Sequence, residues 1–232
     1  MKTPIQIIII ALIFVFSSCE KDELTKPTEI LLQFEMEPHQ NQGATKSMNG
    51  FTIDQCNMVI SSMEFDGRRE VGEDYYFNKS FETPLKAEMH TGNTNQTVSF
   101  DAPIGVYNKI DISFSLGAEN EKALILTGKY NQGPLVEIPI RFEYNLQENI
   151  RVQGQSKSGN QEIVLKKDDI TKATVVFNTP ELFQLTTVGM IQNAMQQNIN
   201  GQATVLIDNK TNIDIFNLLA SRIDNSVQVI FE

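Results

Sequence analysis

The stretch KIDISFSL, residues 109–116, alternates polar and apolar side chains without interruption. Successive side chains of a β-strand point to opposite faces of the sheet, so this period of two predicts a strand with one buried face. Residues 136–144 repeat the pattern. Pro139 lies within this second stretch, and because proline cannot donate a ladder hydrogen bond, we predict a sheet edge or a bulge there.

Shorter stretches with strand character lie on both sides of these two segments. The change of face between Ile60 and Met63 predicts a bulge or kink in one of them. Many short strands separated by turns, with no early helices, favour a β-sandwich over a parallel α/β sheet. The additional strands are predicted at residues 29–36, 51–65, 75–81, 94–100, 124–130, 150–152, 163–165, 174–177, 204–207 and 226–231.

Helical features are confined to the C-terminal part of the chain. Thr179 and Pro180 supply a capping hydroxyl and a proline at the first helical position. A weak helical pattern then extends to about Asn198 and predicts one broken helix or two short ones. A further amphipathic helix is predicted over residues 212–223.

These elements predict one mainly-β domain over residues 29–232. We expect an antiparallel β-sandwich with two or three short helical elements at about 179–223. The length of this region suits a single domain, and it contains no internal repeat, low-complexity tract or obvious second-domain linker.

The first residues of the chain have a different composition. A positive start at Lys2 precedes an apolar run, residues 5–16, that is shorter than the roughly 20 residues a membrane-spanning helix needs. The junction Phe16-Ser17-Ser18-Cys19 resembles the lipobox of bacterial lipoproteins. That resemblance implies that residues 1–18 are a cleaved signal peptide, that the Cys19 thiol receives a diacylglycerol and that its amine is acylated. The alternative is an ordinary secretory signal with an incidental cysteine.

Residues 19–28 are charged and lack apolar periodicity, so we interpret them as a lipidated tether. Their beginning, Cys19-Glu20-Lys21-Asp22-Glu23, resembles the surface-export signal of Bacteroidota lipoproteins. The resemblance implies that Lys21, Asp22 and Glu23 direct the anchored protein to the outer leaflet of the outer membrane, where it is exposed on the cell surface. The alternatives are an inner-leaflet anchor and a terminus that is polar only because termini usually are.

Two motifs in the folded part carry a second resemblance. They are Pro103-x-Gly105-x-Tyr107 before an alternating strand, and Gly128-Lys129-Tyr130 followed by Pro134. Both are similar to segments of uncharacterised lipoprotein domains with immunoglobulin-like or transthyretin-like sandwiches. No catalytic signature accompanies these motifs, so the resemblance implies a fold and a location but no activity.

Several kinds of chemistry have little support in the residues. The formal net charge of −10 disfavours a nucleic-acid partner, whose phosphates an acidic protein repels. Cys56 is the only cysteine besides Cys19, so we predict no intrachain disulfide and a buried Cys56 thiol. His39 and His90 lie in polar stretches without a second ligand at useful spacing, so we predict no metal site and no cofactor.

No phosphate-binding loop or nucleophile elbow is present, and we predict no catalytic residues and no enzyme.

The acidic stretch 208–214 comes closest to a calcium loop, but Lys210 occupies a ligand position, so an EF-hand is excluded. Calcium held by scattered loop carboxylates stays open. The aromatic run Tyr75, Tyr76 and Phe77 is a possible ligand contact, because aromatic rings can stack on sugars.

The leading hypothesis is a non-enzymatic, membrane-anchored surface lipoprotein that acts as an accessory binding module for a glycan, peptide or protein partner. An envelope structural or assembly component is the alternative from another class. A carboxylate-based hydrolase comes third, since two acids brought together by folding leave no motif in the sequence.

Overall fold

The computed structural model describes residues 26–37, 50–133, 136–167 and 169–232. Within them, fourteen strands join in one hydrogen-bonded sheet. The strands are β1 (Pro27–Met36), β2 (Phe51–Arg69), β3 (Tyr75–Glu88), β4 (Asn93–Thr94), β5 (Val98–Pro103), β6 (Gly105–Leu116), β7 (Leu124–Gly133), β8 (Val136–Tyr144), β9 (Glu148–Ser156), β10 (Ile163–Leu165), β11 (Thr171–Phe177), β12 (Gln196–Ile199), β13 (Gln202–Ile207) and β14 (Val227–Phe231).

Three short helices lie near the C-terminus, α1 (Thr179–Phe183), α2 (Val188–Gln192) and α3 (Ile213–Ala220), followed by a 3-10 turn (Asp224–Ser226). The predicted mainly-β class with short C-terminal helices is therefore confirmed. Among the described residues, none of the helices has the length and apolar character needed to cross a membrane.

The sheet is so strongly coiled that strands that are far apart in the strand order pack face to face. The order is β12-β13-β8-β7-β2-β6-β9-β14-β11-β1-β5, with β3 beside β2, β4 beside β3 and β10 beside β6. In a flat sheet, β2 and β5 would lie about 28 Å apart, because neighbouring strands are about 4.7 Å apart. The ring centroids of Phe65 on β2 and Phe100 on β5 are instead 5.2 Å apart. The two halves of the sheet thus form the layers of a sandwich with the aromatic core between them.

Strand β2 changes its neighbour partway along its length. Its first part, Phe51–Met58, pairs with β7, and its second part, Ile60–Arg69, pairs with β6. The register shifts between Ile60 and Ser62, which is the bulge predicted from the change of apolar face. A bulge bends a strand and increases its twist, so β2 can leave one neighbour and continue along another.

The sheet is mixed, whereas the sequence pattern led us to expect antiparallel strands. The pairs β1–β11, β13–β8 and β14–β9 are parallel. Alternation of polar and apolar residues has the same period in both kinds of pairing, so it contains no information about strand direction. Direction is decided by the long connections that bring the C-terminal strands back between earlier ones.

Several predicted strands are longer in the structure, among them β2, β3 and β9, and the segment predicted as one strand over 94–100 is divided between β4 and β5. Two further differences change the assignment of a segment. Pro27 and Thr28, predicted as tether, belong to β1 and pair with β5. The helical pattern predicted to extend to about Asn198 ends at Gln192, and the following residues form β12. This strand pairs with β13 across the turn Asn200-Gly201, both of which have positive φ. Asn-Gly is the preferred pair for a tight hairpin turn, and here it outweighs a weak helical period.

At Pro139, strand β8 is paired on one side only. It pairs with Lys129 on β7, while β13 begins to pair with β8 one residue later, at Ile140. The predicted sheet edge is therefore a local one.

Cys56 lies in the core, as predicted, with a fully buried side chain. Burial raises the pKa of this thiol far above its ordinary value, because a thiolate would lose its hydration. We expect Cys56 to resist maleimide in the native protein and to react after unfolding in denaturant, as measured by mass spectrometry. Rapid labelling of the native protein would contradict its burial.

Candidate functional site

One exposed face of the sheet, formed by β3, β2, β6 and β9, is polar throughout its described residues. Strand register arranges its side chains in rows across the four strands. We call this surface the polar face, and its rows are Tyr76–Asp66–Asp111–Gln153, then Asn78–Glu64–Ser113–Arg151, then Ser80–Ser62–Ser115–Asn149. It is the outer side of the same alternation that places Ile110, Ile112 and Phe114 in the core.

The charged end of the polar face is built from ion pairs. A guanidinium nitrogen of Arg151 lies 2.6 Å from an Asp111 carboxylate oxygen and 3.1 Å from Asp66, while Lys109 Nζ lies 2.7 Å from Asp111. Burial alone would raise the pKa of Asp111, but hydrogen bonds from Lys109 and Arg151 outweigh it and lower that pKa. These cations are engaged by acids, so this end of the face is a poor site for an anionic ligand.

The other end of the polar face contains a groove of about 370 Å³. The β2 bulge places Ser61 and Ser62 opposite one residue of β6, Ser115. Ser61 Oγ donates to the Ser115 carbonyl at 3.1 Å, and Ser62 Oγ donates to Ser115 Oγ at 2.7 Å. The groove is lined by Ser61, Ser115, Leu116, Gln147, Glu148 and Asn149.

Glu148 is the charged residue that lines this groove. The Tyr144 hydroxyl donates a hydrogen bond to one of its carboxylate oxygens, which orients the carboxylate. Asp224, at the 3-10 turn, has a raised pKa, first because it is partly buried and second because the Glu148 charge is near. The groove therefore combines hydroxyl and amide groups with the Glu148 carboxylate, and it can both donate to and accept from a neutral polar ligand.

The three aromatic residues predicted as a ligand contact do not form one platform. The Phe77 ring stacks on Phe100 with centroids 4.7 Å apart, and the Tyr75 hydroxyl donates to the Asp101 carbonyl at 2.8 Å. Both side chains pack against the core, while Tyr76 points to the opposite face and is 56% exposed. Alternation along β3 separates them, and Tyr76 alone lies on the polar face, in the row farthest from the groove.

The other sequence-predicted sites have simpler placements. Cys19, Lys21, Asp22 and Glu23 lie outside the described residues, as does His39. His90 lies with its Nδ1 3.5 Å from the Cys56 carbonyl oxygen.

The acidic stretch 208–214 forms a side-chain-capped turn before α3. One Asp208 carboxylate oxygen accepts hydrogen bonds from the backbone N–H groups of Lys210 and Thr211, at 2.8 and 2.6 Å. Across the described part of the chain, no group of three or more His, Cys, Asp or Glu residues is placed to hold a metal ion.

The sequence had not indicated the groove residues as a site. Ser61 and Ser115 lie on strands predicted from their apolar neighbours, and Gln147 and Glu148 belong to a turn and a strand start without a motif. The one available signal was the change of apolar face after Ile60, which marks the bulge.

Comparison with known proteins adds no assignment to this site. No family model matches the chain, and neither the curated proteins nor the solved structures contain a match to it.

Proposed function

We propose that this chain is a lipid-anchored, non-enzymatic binding module on the outer surface of a bacterial outer membrane, and that it holds a glycan in the polar groove. The observation that supports glycan binding is the lining of the groove, where hydroxyl, amide and carboxylate groups converge on one concave surface. A sugar presents hydroxyls that both donate and accept, and these groups match that demand. The groove volume, about 370 Å³, lies within the range of small-ligand sites.

The groove is tested by the paired substitutions Asn149→Ala and Gln155→Ala. Both side chains are exposed on the same face of β9, but only Asn149 lines the groove. We expect Asn149→Ala to weaken binding to a selected oligosaccharide about tenfold, because a lost hydrogen bond to a buried ligand group costs about 1–3 kcal/mol. Gln155→Ala should leave affinity unchanged.

The measurement is titration calorimetry with the full-length protein, after screening an array of neutral and acidic oligosaccharides. An array on which no glycan is retained, or equal losses in both variants, would contradict the glycan assignment. Envelope assembly would then be the better proposal.

A carboxylate-based hydrolase is the second candidate, and the observation that favours it is that Asp224 lies near enough to the groove residue Glu148 to feel its charge. A carboxyl group with a raised pKa near an ionised carboxylate is the arrangement that general acid catalysis uses. Asp224 and Glu148 have this relationship. Release of reducing sugar by the unmodified protein and its loss in Glu148→Gln would establish the hydrolase, whereas binding without turnover would support the module.

Surface display makes its own prediction. The tether is too short to pass through the outer membrane, so the folded domain lies on the same side as Cys19. Because the proposed export signal places Cys19 on the outer leaflet, we expect protease added to intact cells to remove the domain. Replacing Lys21, Asp22 and Glu23 together with alanine should protect the domain while Cys19 stays lipidated. Immunoblotting of intact and lysed cells measures both. Digestion of the unmodified protein only after lysis would instead place the domain in the periplasm.

A further inference from the structure

The chain enters the folded domain at one end of the sandwich, which we call the tether end. The Lys26 carbonyl accepts a hydrogen bond from the Ile104 N–H at 3.0 Å, just before β6 begins. The Ile104 carbonyl in turn accepts from Arg69 at 2.8 Å, at the end of β2. The segment that precedes β11 meets the same end, since the Thr28 hydroxyl donates to the Asp169 carbonyl.

Three exposed aliphatic side chains lie on segments that meet at this end. Val71 is 59% exposed, Val164 51% and Ile170 59%. Val71 follows Glu70, whose N–H donates to the Val106 carbonyl at 2.9 Å, and Val164 pairs with Val106 in the β10–β6 ladder. Ile170 immediately precedes Thr171, which pairs with Ile30 near the start of β1. The three side chains thus come from three segments, the loop after β2, strand β10 and the connection before β11, and these meet near the start of β1.

We infer that the tether end docks on the membrane, with Val71, Val164 and Ile170 inserted among the lipid headgroups. The inference rests on the proposed anchor at Cys19. Six residues lie between Cys19 and Lys26, which makes seven residue-to-residue steps, so this end lies at most about 25 Å from the lipidated residue. A tether this short keeps the aliphatic side chains at high effective concentration beside the bilayer. Exposed valine and isoleucine bury apolar area there without losing any polar partner.

The charges at the tether end indicate whether membrane contact there is electrostatic or aliphatic. Exposed lysines, Lys26, Lys166 and Lys167, are mixed with exposed acids such as Glu70 and Asp169. This mixture gives no net attraction to anionic lipids, so docking is aliphatic and needs no acidic headgroup. It should therefore occur on phosphatidylcholine and be insensitive to salt.

Docking at this end orients the groove away from the bilayer. Strand β6 runs from Gly105 at the tether end to Leu116 in the groove, a span of about 35 Å. A ligand outside the cell would therefore meet the groove before any other part of this face. The two ends of β6 thus have different roles in this proposal: the Gly105 end docks on the membrane and the Leu116 end holds the ligand.

The test uses the full-length lipidated protein reconstituted in phosphatidylcholine vesicles. A single cysteine introduced by Val164→Cys or Ile170→Cys carries an environment-sensitive fluorophore, and Leu146→Cys is the matched control. Leu146 is an exposed aliphatic, 46% accessible, in the turn before β9 beside the groove. Cys56 is buried, and the lipidated Cys19 thiol is blocked, so neither takes the label.

We expect spin-labelled lipid to quench the probes at 164 and 170 by roughly twofold or more at both low and high salt, and to leave the probe at 146 unchanged. Equal quenching at all three positions, or no quenching while the protein floats with the vesicles, would overturn the docking inference and leave the anchor intact. A protein that fails to float with vesicles would overturn the anchor itself, and the inference with it.

Discussion

Replacing Cys19 with serine is expected to remove this protein from the outer-membrane fraction and to leave residues 1–18 attached. Serine cannot form the thioether that the lipobox resemblance implies, and the signal would then not be cut. Each buried methylene of a lipid chain contributes about 0.8 kcal/mol to membrane binding, so losing several chains should abolish stable anchoring. Sucrose-gradient fractionation and the intact mass of the purified protein measure the two consequences separately.

Cys56→Ala is the matched control for this experiment, since Cys56 is the other cysteine of the chain. It removes a buried thiol and leaves the proposed anchor unchanged. We expect this variant to remain in the outer-membrane fraction with the mass of a processed, acylated protein. Normal processing and unchanged fractionation of Cys19→Ser would show that Cys19 is an incidental residue of an ordinary signal, and the membrane-docking inference would lose its basis.

Substituting alanine for Gly128 on β7 is expected to lower the free energy of unfolding by about 3 kcal/mol. Overpacking usually destabilises a protein by about 1–3 kcal/mol, and the upper value applies here because backbone atoms would have to move. A Cβ atom at this position would lie 2.1 Å from the Thr52 carbonyl oxygen and 2.8 Å from Ile53 Cα. Both are backbone atoms of β2, which is paired with neighbouring strands along its length, and they cannot move aside as a flexible side chain would. The measurement is the free energy of unfolding from chemical denaturation.

Gly189→Ala is the control for that substitution. Gly189 lies in α2, its φ is not in the left-handed region, and an added Cβ would meet no heavy atom within 4 Å. Alanine loses less backbone entropy than glycine in a helix, so we expect a gain of about 0.5–1 kcal/mol. Similar unfolding free energies for the two variants would mean that β2 and β7 do not approach each other as closely as described.

The mainly-β class could be predicted from the sequence because its signal is local. The alternation over residues 109–116 requires only that successive side chains point to opposite faces, and that holds in any strand. The bulge in β2 was visible for the same reason, as a break in the period after Ile60. The short helix α3 was likewise readable from a local period of 3.6 residues.

Strand direction, the groove and the fate of the aromatic run were decided by tertiary structure. The parallel pairing of β1 with β11 joins residues about 140 positions apart, and no local period records such a contact. Ser61 and Glu148 face one groove only because β2 and β9 both pair with β6. Tyr76 was separated from its two aromatic neighbours by the pleat, once one face of β3 was buried. The sequence determined which residues prefer the interior, and long-range pairing determined which exposed residues meet, because pairing depends on contacts between distant segments.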